Sequence, residues 1–278
     1  MGKMLAAGRL IFAVAVTALG VENVVCARFA QGVVPALPFL RPLPGLAYGV
    51  GGALIAAGVG IALRLRPREA ATLLGILLLV CALAFPVPEA VARPFDLGIR
   101  TTVFEVLAFC GAALALARTF APARGGLATR AGFLDCFLQS GRYIFAVSSV
   151  VFGVSHLLIP RFIASLIPAW IPGPLFWAYF TGVAFIATGI SIAAGIMDRP
   201  AAILLGAMFL LWFACLHAPR VSSAPRSHNP NEWSSAFIAL GMCGGCWIIA
   251  GESSQRRGMQ TSASENRRVL WQVDHPRL

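Results

Sequence analysis

Gly8 to Phe29 reads GRLIFAVAVTALGVENVVCARF and Gly141 to Phe162 reads GRYIFAVSSVVFGVSHLLIPRF, identical at ten of 22 positions. A helix-length apolar segment that returns this closely marks a duplicated unit. The correspondence continues downstream. Glu69-Ala-Ala through Leu79 reads again from Pro200-Ala-Ala through Leu210, and Phe104 and Cys110 match Phe237 and Cys243. The chain is thus a unit of about 130 residues written twice.

The unit belongs in lipid. Hydrophobic residues make up 58% of the chain, charged residues 12%, and the mean hydropathy is +0.80, whereas soluble domains carry about 25% charged side chains. Apolar runs long enough for a hydrocarbon core of about 30 Å occur at Leu10–Cys26, Ala47–Leu63, Ala70–Pro88 and Thr101–Ala117, and again at Tyr143–Ile159, Phe176–Met197, Ala201–Ala218 and Ser234–Gly251. The expected fold is all-α: a polytopic integral membrane protein with eight transmembrane helices in two parallel-repeat four-helix bundles. An even number of spans per unit makes both units enter from the same side, related by a pseudo-two-fold along the membrane normal.

Charge sets the expected orientation. With both termini cytoplasmic, the inner segments hold fifteen of the 22 Lys and Arg residues, as the positive-inside rule requires. The net charge of +11 is spread over loops, which argues for anionic headgroups as its counterpart and against nucleic acid. The first apolar run follows a basic start but no small-x-small cleavage site follows it, so it reads as an uncleaved helix.

Four segments follow. Residues 1–117 form the first, more diverged unit and 118–140 a basic cytoplasmic linker broken by Pro and Gly. Residues 141–252 form the second unit, and the polar stretch 253–278 reads as a flexible cytoplasmic tail. Between the first two helices of each unit lies a Pro-rich apolar hairpin, Val34 to Pro44 and Ile167 to Pro174. Trp170, Trp177 and Tyr179 suit the headgroup level there.

The second unit resembles the DoxX family of four-helix membrane proteins. The likeness is carried by GRYIFAVSSVVFGVSHLLIPRF, then IPAWIPGPLFWAYFTGVAF, a helix ending near His217-Ala-Pro, and a small-residue helix beginning near Asn231-Glu-Trp. The resemblance implies a bacterial cytoplasmic-membrane protein, a redox-associated subunit beside a membrane oxidoreductase, with a quinone as the implied ligand. Many family members carry an acid after the Gly-Val-Ala of the second helix. This chain has Gly182-Val-Ala-Phe185 and, in the first unit, Gly51-Gly-Ala-Leu54, so a role resting on that acid is not implied.

Ionisable groups inside apolar spans are site candidates by default, because each costs about 2.5–3.5 kcal/mol at a helix centre. Glu22, Glu105, His156 and His217 all fall in the outer third by this topology, where a shared polar pocket for a quinone or another lipophilic molecule would form. Trp170 joins them as a ligand contact from the hairpin. The alternative is that each is hydrated at the interface. His156 is the sharpest candidate, since a neutral imidazole can bond a carbonyl or relay a proton.

Other chemistry is not written in the chain. No catalytic motif, phosphate loop or haem-attachment motif is visible, and the histidines lack metal-ligand spacing. Cys243-Gly-Gly-Cys246 has redox-pair spacing, but an apolar helix favours packing for it. Arg9 and Arg142 are expected to anchor the start of each unit at headgroup phosphates, with a buried ion pair as the lesser alternative. A membrane scaffold or a small-molecule transporter are the alternative functions.

Overall fold

Among the described residues eight helices are long and apolar enough to cross a bilayer, and they run in alternating directions. They form because hydrocarbon offers no partner for a backbone N–H or C=O, so each crossing must satisfy its own. The computed structural model describes residues 2–27, 44–120, 128–223 and 230–274. The Pro-rich hairpin of the first unit and the middle of the linker lie outside the described residues.

The helices are α1 (Lys3–Cys26), α2 (Pro44–Ala62), α3 (Pro67–Ala84), α4 (Pro86–Ala92), α5 (Leu97–Arg118), α6 (Ala128–Leu158), α7 (Pro160–Leu166), α8 (Pro174–Ala194), α9 (Asp198–Trp212), α10 (Ala218–Ser223) and α11 (Pro230–Asp274). A wide π turn, Phe213–His217, joins α9 to α10. Proline opens α3, α4, α7 and α8, a position where its missing N–H costs nothing. Asp96 caps α5 by accepting from the Ile99 N–H at 3.1 Å. The short helices α4, α7 and α10 lie on one face of the bundle, here the hairpin face; α1, α3, α6 and α9 begin on the other, the terminal face.

Each expected span falls on a helix, and two helices are longer than expected. α6 begins at Ala128, so the second half of the linker is helical, with Arg68 on α3 paired to Asp135 at 2.8 Å. α11 continues through Asp274 instead of giving way to a flexible tail. Nothing in the polar composition after Ser253 breaks a helix, since the stretch up to Asp274 holds one Gly and no Pro.

The duplication is visible in the contacts. A Cβ on Gly20 of α1 would stand 2.7 Å from the Gly51 carbonyl of α2, and one on Gly153 of α6 would stand 2.5 Å from the Gly182 carbonyl of α8. Both crossings are closed to any larger residue, as small-residue packing in membranes predicts. Ala112 of α5 and Gly245 of α11 are equivalent positions that touch each other, which places the pseudo-two-fold axis between these parallel helices. The units are interlocked through it: α1 packs along α11, the fourth helix of the second unit, and α6 packs along α5, the fourth helix of the first. The core is continuous across both halves, with Phe12 on Phe109 at 5.4 Å between ring centroids.

The terminal face holds buried charge. Arg9 donates from Nη1 to the Ile61 and Ala62 carbonyls at the end of α2, at 2.5 and 2.7 Å, and Arg142 donates to the equivalent Ile192 carbonyl of α8. These residues are 6% and 4% exposed, so they cap helix C-termini and are not the headgroup anchors expected. The last carbonyls of a helix have no internal donor, and a guanidinium supplies one. In the second unit Asp198 is fully buried and pairs with Arg256 at 2.5 Å, Arg257 at 2.9 Å and Arg142 at 3.8 Å. Pro67 holds the equivalent position in the first unit, which therefore has no such lock.

Candidate functional site

Toward the hairpin face the second unit encloses a cavity of about 380 Å³. Its walls come from α5, α6, α7, α8, α9, the π turn, α10 and α11. Glu105, His156 and His217, three of the five residues singled out from the sequence, line it together. Arg220 and Glu232 join them. These two sit close to helix ends among other polar residues, and no apolar surround marked them in the sequence.

The cavity's frame is aromatic. Phe185 stands edge-on to Phe152 at 5.8 Å and to Phe209 at 5.4 Å, and the His156 ring lies 5.2 Å from Phe185. Fixed rings of this kind give a large apolar wall with little freedom to collapse. His156 Nδ1 is 2.8 Å from the Phe152 carbonyl. A carbonyl only accepts, so Nδ1 carries the proton and Nε2 keeps its lone pair. His217 lies in the π turn, and its buried Nδ1 has no hydrogen-bond partner among the described residues. Widened helical turns recur at functional sites because they redirect side chains and free backbone groups. Arg220 donates to the Leu166 carbonyl at 2.6 Å, which ties α10 to α7 across the mouth.

The first unit contains the same place, nearly closed. Leu19, Leu54, Leu78, Val106, Phe109 and Ile238 surround a void of about 10 Å³. They are the repeat equivalents of Phe152, Phe185, Phe209, Ala239, Met242 and Glu105, all of which line the large cavity. Phe152, Phe185 and Phe209 are larger than their leucine counterparts, while Ala239, Met242 and Glu105 are smaller than Val106, Phe109 and Ile238. The space combines these trimmed positions on α5 and α11 with the edge-on rings and the π turn, and Pro86 stands where that turn has His217.

Glu22 and Trp170 lie elsewhere. Glu22 accepts from Ser234 Oγ at 2.5 Å and lines a separate hollow of about 310 Å³ with Trp233 and Cys26. Its position on α1, across α11 from the main cavity, is why the sequence could not separate it from the others. Trp170 is 69% exposed and lies at one end of an apolar groove between α8 and α9. Cys243 and Cys246 are buried free thiols in the packed centre of α11.

A family model described as a domain of unknown function, DUF8561, matches residues 145–240, about a third of the chain. All of the cavity lining falls inside that stretch except Thr101, Glu105 and Met242. No curated protein and no solved structure matches.

Proposed function

We propose that this protein binds a lipophilic molecule with a small polar head, a quinone in the first instance, as a redox-associated subunit of a bacterial cytoplasmic membrane. The observation that carries the reading is the meeting of Glu105, His156 and His217 with an aromatic frame in one cavity. A pocket that is mostly apolar, with a few convergent polar groups, is the usual form of a small-molecule site. The His156 Nε2 lone pair suits a hydroxyl and, when protonated, a carbonyl; the Glu105 carboxyl suits the proton that such a head group exchanges. With both termini cytoplasmic, as the Lys and Arg distribution favours, the cavity belongs to the outer leaflet. The DoxX-like segments of the second unit favour the same chemistry.

The test is direct. Protein purified in nanodiscs is expected to retain quinone on solvent extraction, and His156→Ala is expected to weaken rebinding by about tenfold or more, the worth of one buried hydrogen bond to a polar head. Unchanged binding in that variant would take His156 out of the site.

A scaffold reading has one observation in its favour. α11 continues about 35 Å beyond Gly251, where its apolar stretch ends, at the helical rise of about 1.5 Å per residue. A stable partner cross-linked to residues 259–274, with no retained quinone, would favour it. Conduction across the membrane is disfavoured by the packed centre, where Phe145 meets Gly245 beneath the cavity.

A further inference from the structure

The polar cavity has an apolar annex. A groove of about 710 Å³ lies in the cleft between α8 and α9, and it shares Thr181 and Trp212 with the cavity. Ala184, Ala187, Ala201 and Ala207 line it, and their small side chains leave the cleft open. α8 contributes from Trp177 to Ser191, and α9 with the π turn that follows it from Ala201 to Cys215. Each wall is therefore about 21 Å long at the helical rise. One leaflet of hydrocarbon is only about 15 Å deep, half of a core of about 30 Å. The groove crosses the bilayer midplane.

We propose that this groove seats the polyprenyl tail of the molecule whose head enters the polar cavity, so that the ligand is a long-chain isoprenoid lipid with an uncharged head. The inference rests on the reading of the polar cavity given above and adds the class of tail and the charge of the head. Three observations select this occupant. The two hollows adjoin at Thr181 and Trp212, which line both, so a head in one sets its tail beside the other. The groove is longer than a leaflet is deep, so its occupant is a chain that continues past the midplane. The cavity sets Glu105 and Glu232 against the single guanidinium of Arg220, so it offers no net positive charge to hold the phosphate of a phospholipid or a polyprenyl phosphate.

The experiment compares two benzoquinones, one with a single isoprene unit and one with a long polyprenyl tail, by quenching of tryptophan fluorescence in phosphatidylcholine nanodiscs. The long-tailed probe is expected to bind at least about tenfold more tightly. Ala187→Phe, which fills the groove from the lipid side, is expected to remove that advantage and leave the short-tailed probe unchanged. Leu204→Trp, on the facing and 70% exposed surface of α9, serves as a second obstruction if the first variant does not fold. His156→Ala separates the two levels of the argument. If it weakens both probes while tail length and groove filling change nothing, the groove holds only bulk lipid and the tail inference is overturned, with the head site intact. If neither probe binds the native protein, both readings fall. Equal competition by phosphatidic acid overturns the uncharged head.

Discussion

Glu105 of α5 and Ile238 of α11 hold equivalent positions in the two repeats, 133 residues apart, and both line the same cavity. The interlocking of the units causes this: each fourth helix serves both halves, and Ile238 also closes the vestigial void of the first unit. Glu105 faces only the site, while Ile238 serves both the site and the gap. The duplication has left one cavity where symmetry would give two.

Exchanging the pair tests that division. Glu105→Ile is expected to abolish quinone retention while thermal stability is kept or raised, because it removes an ionisable group whose placement in a span costs about 2.5–3.5 kcal/mol on insertion scales. Melting curves and quinone extraction on the same preparation check both halves of the statement. A loss of stability would show that the carboxyl is structural.

The helix crossing next to the site leaves no room for a methyl group. Gly153→Ala is expected to destabilise the fold by about 1–3 kcal/mol through overpacking against the Gly182 carbonyl. Gly49→Ala on α2, where an added Cβ meets nothing within 4 Å, is the matched control and should leave the melting temperature unchanged. Equal effects at both positions would contradict the close crossing.

The lock on the terminal face should behave as a buried cluster. Asp198→Asn leaves Arg142, Arg256 and Arg257 without their shared carboxylate and is expected to cost about 3–5 kcal/mol. Arg257→Ala, at a side chain 43% exposed, should cost no more than about 1 kcal/mol. Denaturation in a mixed-micelle titration distinguishes them, and similar losses for the two would place Asp198 at the surface.

Topology can be read from two native thiols. Cys26 at the end of α1 and Cys136 near the start of α6 are both exposed, on opposite faces, while Cys81, Cys110, Cys243 and Cys246 are buried. A membrane-impermeant maleimide on intact cells is expected to label Cys26 at once and Cys136 only after permeabilisation. The reverse pattern would invert the orientation and put the cavity in the inner leaflet.

Much of this arrangement was legible in the chain. The eight spans and their pairing follow from the length of the apolar runs, and His156, Glu105 and His217 stood out because ionisable groups are rare in such runs. Arg220 and Glu232 gave no signal, since polar residues near helix ends are ordinary. Asp198 was equally silent: an acid before a helix that begins in a basic segment reads as a solvated end, and only the approach of Arg256 and Arg257 from the extended α11 buries it. The extension itself was masked by polar composition, which marks departure from lipid but not the end of a helix.

By itself the sequence determined the class, the duplication and the number of crossings, because hydrocarbon depth and backbone self-satisfaction admit few alternatives for runs of that length. Tertiary structure alone decided how the space in the second repeat would be framed. Whether Phe152, Phe185 and Phe209 close a gap as their leucine counterparts do, or stand edge-on and hold one open, depends on how helices far apart in the chain come to rest against each other. It also decided that a carboxyl of the first repeat would meet two imidazoles of the second. Periodicity within a helix carries no information about its neighbour, and that meeting is set by the close crossings around the axis where Ala112 touches Gly245.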